Sequence, residues 1–271
     1  MISASIVIYN NPFETVKETI RSFSPAEGKI LFVIDNSEQK SKDYDNLPYV
    51  TYIFNGKNEG YGKAHNIALH KAIECGSKYH VVLNPDVRFK PEVIGELVKY
   101  ADAHDDVVYM LPKVIYPNGE LQYLCKLLPT PTDLIFRRFL PSSLVKKSDD
   151  RYCLKMSGYN KIMNPPCLSG CFMFLRVSTI QKHNLFFDER FFMYCEDFDL
   201  MRRLHRVGKT IFYPEAEIIH DHAHASYKNK KMLMVHISSA IKYFNKYGWF
   251  FDHERKEMNK KILKEIQEAS K

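Results

Sequence analysis

The chain has 271 residues, 45% of them hydrophobic and 26% charged, with a formal net charge of +7. That length supports one main domain with a sizeable core plus a shorter appendage, and excludes two full domains. No apolar run approaches the roughly 20 residues of a membrane-spanning helix, and the N-terminus enters a strand pattern without a basic leader, so the expected location is the cytoplasm.

Strand-like and helix-like segments alternate through the first half. SASIVIY (3–9) precedes a helix over Phe13–Phe23, and ILFVI (30–34) precedes a polar loop. VTYIF (50–54) leads into a helix over Lys63–Glu74, YHVVL (79–83) into one over Pro91–Ala103, and VVYML (107–111) closes the series. Alternation of period-2 and period-3.6 segments predicts an α/β fold around a mostly parallel sheet. Ligands of such sheets bind at the carboxyl ends of the strands. The residues found there are Tyr9, Asn10 and Asn11, then Asp35, Asn36 and Ser37, and finally Asn84, Pro85 and Asp86.

Between them, NEGYGKAHN (58–66) places two glycines in a loop that opens a helix. Backbone N–H groups there can approach a nucleotide or its phosphates, although the spacing is neither a Walker motif nor GxGxxG. Asn58, Gly60, Lys63 and Asn66 are its candidate contacts. Asp86, ending a buried strand in LNPDV, supplies one carboxylate that a diphosphate would complete into an oxygen shell around Mg2+ or Mn2+. Asn-Pro-Asp is equally a turn sequence.

Residues 112–166 are Pro-rich, with PTPTD at 129–133 and RRF at 137–139, and are expected as a surface excursion or an acceptor-side lid. SGCFMFLR (169–176) reads as a small turn at Ser169 and Gly170 followed by a buried strand. MYCEDFDLMRRLHRVG (193–208) opens a helix with Glu196 and Asp197, buries a stripe of Phe198, Met201, Leu204 and Val207, and sets Asp199 four residues before Arg203. Acids in a first helical turn are favoured by the macrodipole, and a carboxylate there can also serve as a base.

His220, His222 and His224 alternate in IIHDHAHAS and would share one strand face. Without a helical HExxH, a single histidine assisting a diphosphate-bound cation is preferred over zinc, and His222 is the candidate. The six cysteines lack CxxC pairs and are expected as reduced, buried thiols. From residue 228 the pattern is helical and basic, a second helix beginning near His253, with Trp249, Phe250 and Phe251 beside lysines. This tail suits an anionic membrane surface, packing on the main domain, or a homodimer contact. No nucleic-acid motif accompanies the positive charge.

In order, SIVIYN, VIDNS, NEGYGKAHNIAL, LNPDV, SGCFMFLR, FDERFFMYCEDFDLMRRLHRVG and IIHDHAHAS resemble the family 2 glycosyltransferases across about residues 3–226. The NPD and FMYCED forms are most similar to the bacterial rhamnosyltransferase-like branch. The resemblance implies an inverting enzyme of GT-A fold whose main domain spans 1–227 (a nucleotide-binding half to 111, then an acceptor half), with helices over 228–271. It further implies that Asp35 contacts a pyrimidine base, that Asn58, Gly60 and Asn66 line the nucleotide pocket, that Asp86 reaches the diphosphate through a cation, and that Asp197 is the base. Ser169, Gly170, Glu196, Arg202 and Arg203 then fall on the acceptor or leaving-group side. The implied donor is dTDP-L-rhamnose, with a UDP-hexose as the alternative. The implied acceptor is a saccharide on undecaprenyl diphosphate at the inner face of the membrane, as in O-antigen or capsule assembly. A nucleotide-sugar-binding protein without turnover is the rival from another class.

Overall fold

The structure is a computed structural model that describes residues 1–135, 142–221 and 230–269. The candidates His222 and His224, the basic RRF at 137–139 and Lys228 lie outside the described residues.

Eight strands form one sheet: β1 (Ile2–Ile8), β2 (Lys29–Asp35), β3 (Val50–Phe54), β4 (Tyr79–Leu83), β5 (Val87–Phe89), β6 (Val107–Ile115), β7 (Phe172–Arg176) and β8 (Lys209–His220). Their order is β3-β2-β1-β4-β7-β6-β8-β5. β1 to β4 are mutually parallel, with Ile8 beside Asp35, Asp35 beside Phe54 and Ile6 beside Leu83. Every residue of β4 is buried, as expected of a central strand covered on both faces. The parallel run is interrupted at β7, which is antiparallel to both β4 and β6, while β6 and β8 are parallel.

That reversal positions the site. Because β7 runs the other way, its starting end lies where β4 finishes: Leu83 pairs with Phe172, and the Asn84 N–H donates to the Cys171 carbonyl at 2.9 Å. β5 pairs antiparallel to the end of β8, Val87 beside His220. The turns after β1, β2 and β4, the turn before β7 and the end of β8 thus share one edge.

Helices cover the sheet: α1 (Phe13–Phe23), α2 (Tyr61–Glu74), α3 (Glu92–Ala103), α4 (Pro131–Leu134), α5 (Ser142–Tyr152), α6 (Val177–His183) and α7 (Glu196–His205). α1 inserts Val16 and Phe23 into the core at no exposure, and α2 lays Ala64, Ala68 and Ala72 against the strands. Small residues let that helix approach closely. Part of the Pro-rich excursion belongs to the core: β6 continues to Ile115, Cys125 and Leu128 are fully buried, and PTPTD forms a turn capped reciprocally by Thr130 and Asp133.

The tail forms α8 (Lys230–Tyr247) and α9 (His253–Ala269), and it packs on the main domain. A second apolar cluster joins Tyr243 and Phe244 of α8 to Phe191, Cys195 and Phe198. Beside it, the Arg202 guanidinium of α7 donates twice to Asp252, at 2.6 and 2.7 Å, and once to Glu254 at 2.6 Å, and stacks 4.1 Å from the Tyr247 ring. Fully buried Asp199 accepts from Arg203, Lys246 and Tyr247. The Asp199–Arg203 pair expected from spacing forms, with the Asp199 carboxylate fully buried. Val207, expected in the buried stripe, lies past the end of α7 and is 38% exposed. All six cysteines are free. No helix among the described residues is long and apolar enough to cross a membrane.

Candidate active site

The shared edge holds a crevice of about 430 Å3. Tyr9 and Asn11 enter it from the end of β1, Asn36 from the end of β2, Asn58 and Gly60 from the loop before α2, Tyr61 from the first position of α2, and Asn84 and Asp86 from the end of β4. Ser169, Gly170, Cys171, Glu196, Asp197 and His220 complete its lining.

The glycine loop is built to touch its neighbours. Gly60 adopts a φ of +86°, and a Cβ there would lie 2.3 Å from the Phe192 carbonyl oxygen, so only glycine fits without displacement. The same carbonyl accepts the Tyr61 N–H at 2.9 Å, while Asn36 Nδ2 donates to the Gly60 carbonyl at 3.0 Å. The loop before the acidic helix is thereby docked onto the loop that opens α2. Tyr61 Oη reaches the Gly170 carbonyl at 2.8 Å and Asn84 Oδ1 at 3.1 Å, tying both walls together. Burial, then the nearby carboxylates, hold this phenol well above its ordinary pKa, so it acts as a neutral donor.

Glu196 and Asp197 follow two consecutive non-glycine residues in the left-handed region, Tyr194 (φ 68°) and Cys195 (φ 65°). Such backbone is strained by about 1–3 kcal/mol per residue and persists where packing over-determines it; Cys195 is 1% exposed in the second cluster. Burial raises both carboxyls, and their mutual repulsion raises Glu196 further. Their surroundings separate the roles. Asp197 Oδ1 accepts the Phe198 N–H at 2.9 Å, Oδ2 faces the Gly170 N–H at 3.4 Å, and the Lys126 ammonium favours its charged form. Glu196 Oε2 is buried with no hydrogen-bond partner. Of the two, only Asp197 has backbone donors and a nearby cation that favour its charged form, whereas nothing among the described residues offsets the burial of Glu196 Oε2.

Across the crevice, His220 Nε2 lies 3.5 Å from Asp86 Oδ1 and 3.3 Å from Asn84 Nδ2. Gln122 fixes the ring: its Nε2 donates to the His220 carbonyl at 2.7 Å, so its Oε1, 3.1 Å from Nδ1, accepts the Nδ1 proton. Burial alone would lower this imidazole; the Cys171 sulfur and the Asp86 carboxylate outweigh it and raise the pKa to about 10.

Several predicted site residues are placed elsewhere. Asp35 is 1% exposed beneath the crevice, its oxygens taken by the Ser37 N–H at 2.8 Å and the Tyr52 hydroxyl at 2.5 Å. Asn66 is a strut, donating to and accepting from the Phe187 backbone at 2.9 Å. Lys63 pairs with Glu59 at 2.6 Å on the outside, and Asn10 anchors its backbone N–H on Ser37 Oγ. Arg202 is committed to Asp252 and Glu254, and Arg203 to Asp199 and the Phe186 carbonyl, so neither reaches the crevice. A charge already paired with a buried carboxylate is not free to meet a ligand. Conversely Tyr61, Gln122, Lys126 and Cys171 join the site only through the fold. Tyr61 and Cys171 stood inside recognised motifs, whereas nothing local marks Gln122 or Lys126. Of the histidine alternation, His220 lines the crevice, while the candidate His222 lies outside the described residues.

Residues 3–179 match the sequence profile described as Glycosyl transferase family 2. The chain belongs to this family. Rhamnosyltransferase WbbL of Escherichia coli (strain K12) is 25% identical over 255 residues, 88% of this chain and 90% of that protein. The N-acetylglucosaminyl-diphospho-decaprenol L-rhamnosyltransferase of Mycobacterium tuberculosis (strain ATCC 25618 / H37Rv) is 27% identical over 196 residues, 66% of this chain and 61% of that protein. Among solved structures, S. aureus TarS 1-349 in complex with UDP-GlcNAc superposes with a TM-score of 0.56 at 15% identity, covering 97% of this chain and 71% of that one. GalNAc-T7 with UDP, GalNAc and Mn2+ gives 0.58 at 14% identity, covering 81% of this chain and 43% of that one. The sheet and its helices are thus the GT-A fold, and the chain is a glycosyltransferase.

In this glycosyltransferase the donor set fits a cation held mostly by its ligand. Among the described residues no group of three or more His, Cys, Asp or Glu could hold a metal alone. Asp86 and His220 nevertheless converge, and with Gln122 holding the Nδ1 proton the Nε2 lone pair faces the Asp86 carboxylate in the neutral ring. A divalent cation between them would replace the proton that the raised imidazole otherwise binds. The remaining coordination positions would fall to water and phosphate oxygens, as suits Mg2+ or Mn2+.

Proposed function

We propose that this glycosyltransferase moves L-rhamnose from dTDP-L-rhamnose, with inversion, to a hydroxyl of a saccharide carried on a lipid diphosphate such as undecaprenyl diphosphate, in cell-surface polysaccharide assembly. One observation carries the reading: the Asp197 carboxylate, held by the Phe198 N–H, lines the same crevice as Asp86 and His220. Both rhamnosyltransferase relatives support the rhamnosyl group, and the Mycobacterium tuberculosis one, which acts on N-acetylglucosaminyl-diphospho-decaprenol, supports the lipid-linked acceptor.

Asp197 takes the acceptor hydroxyl proton as that oxygen bonds to the anomeric carbon. The bond from that carbon to the diphosphate oxygen breaks on the opposite face, and its electron pair leaves with the nucleoside diphosphate. Asp86 and His220 would hold the cation, which neutralises charge on the departing diphosphate. Tyr61 and Asn84 tie the donor wall to the Gly170 turn beneath Asp197, and Gly170 keeps that turn close, since a Cβ there would sit 3.1 Å from Asp197 Cβ.

The test is incubation with Mn2+ or Mg2+, a GlcNAc diphosphate-lipid acceptor, and dTDP-rhamnose or UDP-hexoses in separate reactions, with product mass followed for wild type and Asp197→Asn. A deoxyhexose gain lost in the variant supports the proposal. A hexose gain moves the donor to a UDP-sugar. Nucleotide binding without any transfer favours the non-catalytic rival.

A further inference from the structure

The turn between α8 and α9 presents two phenylalanines to solvent. Phe250 is 77% exposed and Phe251 91%, more than any other large hydrophobic residue described. They lie at the tip of a turn that the fold holds firmly. Gly248, at a φ of +102°, closes α8 by donating to the Phe244 carbonyl at 2.8 Å, and a Cβ there would meet the Phe251 carbonyl at 2.6 Å. Trp249 folds back, its ring 5.3 Å from Phe244 and its indole N–H on Asn245 Oδ1 at 2.8 Å. Arg255, only 7% exposed, reaches beneath the turn and donates to the carbonyls of Trp249 at 3.4 Å and Phe250 at 3.3 Å.

A backbone carbonyl carried into lipid without a partner is strongly penalised. Here two of the turn's carbonyls are already satisfied from inside, and what faces outward is hydrocarbon. Lys256, Lys260 and Lys264 follow at four-residue spacing, so they lie along one side of α9 and line, with exposed Arg151, a groove of about 770 Å3 that begins at the two phenylalanines. Among the described residues neither Lys256 nor Lys260 takes part in an ion pair, and the only acid lining the groove is Asp252, already held by Arg202.

We propose that this turn and the lysine row dock the enzyme on an anionic lipid surface, with Phe250 and Phe251 entering the interface and the cations meeting the headgroups. Two adjacent rings on one tip suit a wedge, whereas a nucleic-acid platform spreads aromatics along a groove to stack successive bases. The surface rests on its own geometry and deepens the lipid-linked acceptor reading above by placing the enzyme where such an acceptor resides.

The experiment is co-sedimentation of the full chain with vesicles of phosphatidylglycerol and phosphatidylcholine, or phosphatidylcholine alone. Wild type should bind the anionic vesicles, lose binding as salt rises, and bind the neutral ones weakly. Phe250→Ser/Phe251→Ser and Lys256→Glu/Lys260→Glu should each weaken anionic binding by about tenfold or more, with unchanged transfer to a short water-soluble acceptor. All four side chains are exposed, and an unchanged melting temperature confirms that folding is intact. Equal vesicle binding by wild type and the phenylalanine variant, or no binding by wild type, overturns the proposal. So does a dimer in sedimentation equilibrium that the phenylalanine variant dissolves, which would assign the patch to a second copy, or RNA retention lost in the same variant. Vesicle binding is read apart from transfer, so loss of all transfer with binding intact refutes the rhamnosyl reading alone.

Discussion

If Asp197 is the ionised base and Glu196 the protonated neighbour, two nearly isosteric substitutions one residue apart should have unequal effects. Asp197→Asn keeps the Phe198 N–H contact through Oδ1 and removes only the proton acceptor. A positioned general base contributes about 10²–10⁴ in rate, so kcat should fall by that factor, equivalent to about 3–5 kcal/mol of barrier. Nucleotide affinity should not change. Glu196→Gln replaces a neutral carboxyl that has no partner on Oε2 with a neutral amide, and kcat should stay within about tenfold of wild type. The assay is initial rate at saturating donor and acceptor, with nucleotide affinity measured separately by calorimetry. The pH profile supplies an independent check. The charged form of Asp197 exists above its pKa, so activity should fall as pH drops through a value raised above the usual carboxylate range by burial. Lys126→Met removes a charge that lowers that pKa, so the acid limb should move to higher pH. Equal losses in Asp197→Asn and Glu196→Gln, or an acid limb that Lys126→Met leaves in place, would refute the assignment.

Other expectations follow from the packing. Arg202→Met strands the 3%-exposed Asp252 carboxylate, and should destabilise by about 3–5 kcal/mol in urea unfolding, with Arg202→Met/Asp252→Asn costing less than the sum of the singles. Burial raises the Asp252 pKa but Arg202 lowers it further, for a net depression. The stability it contributes is therefore present above its unfolded pKa near about 4 and lost as pH falls below that. Gly60→Ala must move the Phe192 carbonyl and adopt a positive φ, so it should lower the melting temperature, by about 1–3 kcal/mol in stability, and weaken nucleotide binding. Gln122→Leu releases the His220 tautomer and should weaken Mn2+-dependent nucleotide binding by roughly 10–100-fold, read by calorimetry with and without Mn2+, with metal-free binding unchanged.

Much of the architecture was legible locally. The β-branched and aromatic runs VTYIF and YHVVL coincide with β3 and β4, and the 3.6-period pattern over Phe13–Phe23 coincides with α1. Hydrophobic patterning is a property of neighbouring residues, so it can be read without knowing which strands will pair. The strand-end rule likewise directed attention to Asn84 and Asp86, both of which line the crevice.

The sequence by itself determined the elements, the family motifs and the candidate acids, because each is written within a dozen residues. Only the tertiary structure decided which charges remain available to a ligand. Arg202 and Arg203 carry the residue type of a diphosphate clamp, yet Asp252, some 50 residues later, and Asp199 in a buried pocket have already claimed them. Glu196 and Asp197 are adjacent and chemically alike; the charged form of Asp197 is favoured by Lys126 and the Gly170 N–H, which arrive from the excursion after β6 and the turn before β7. His220 gains its orientation from Gln122, 98 positions away. Electrostatic character is set by burial and by partners distant in sequence, and both come into being only when the antiparallel β7 and the tail helices close over the sheet.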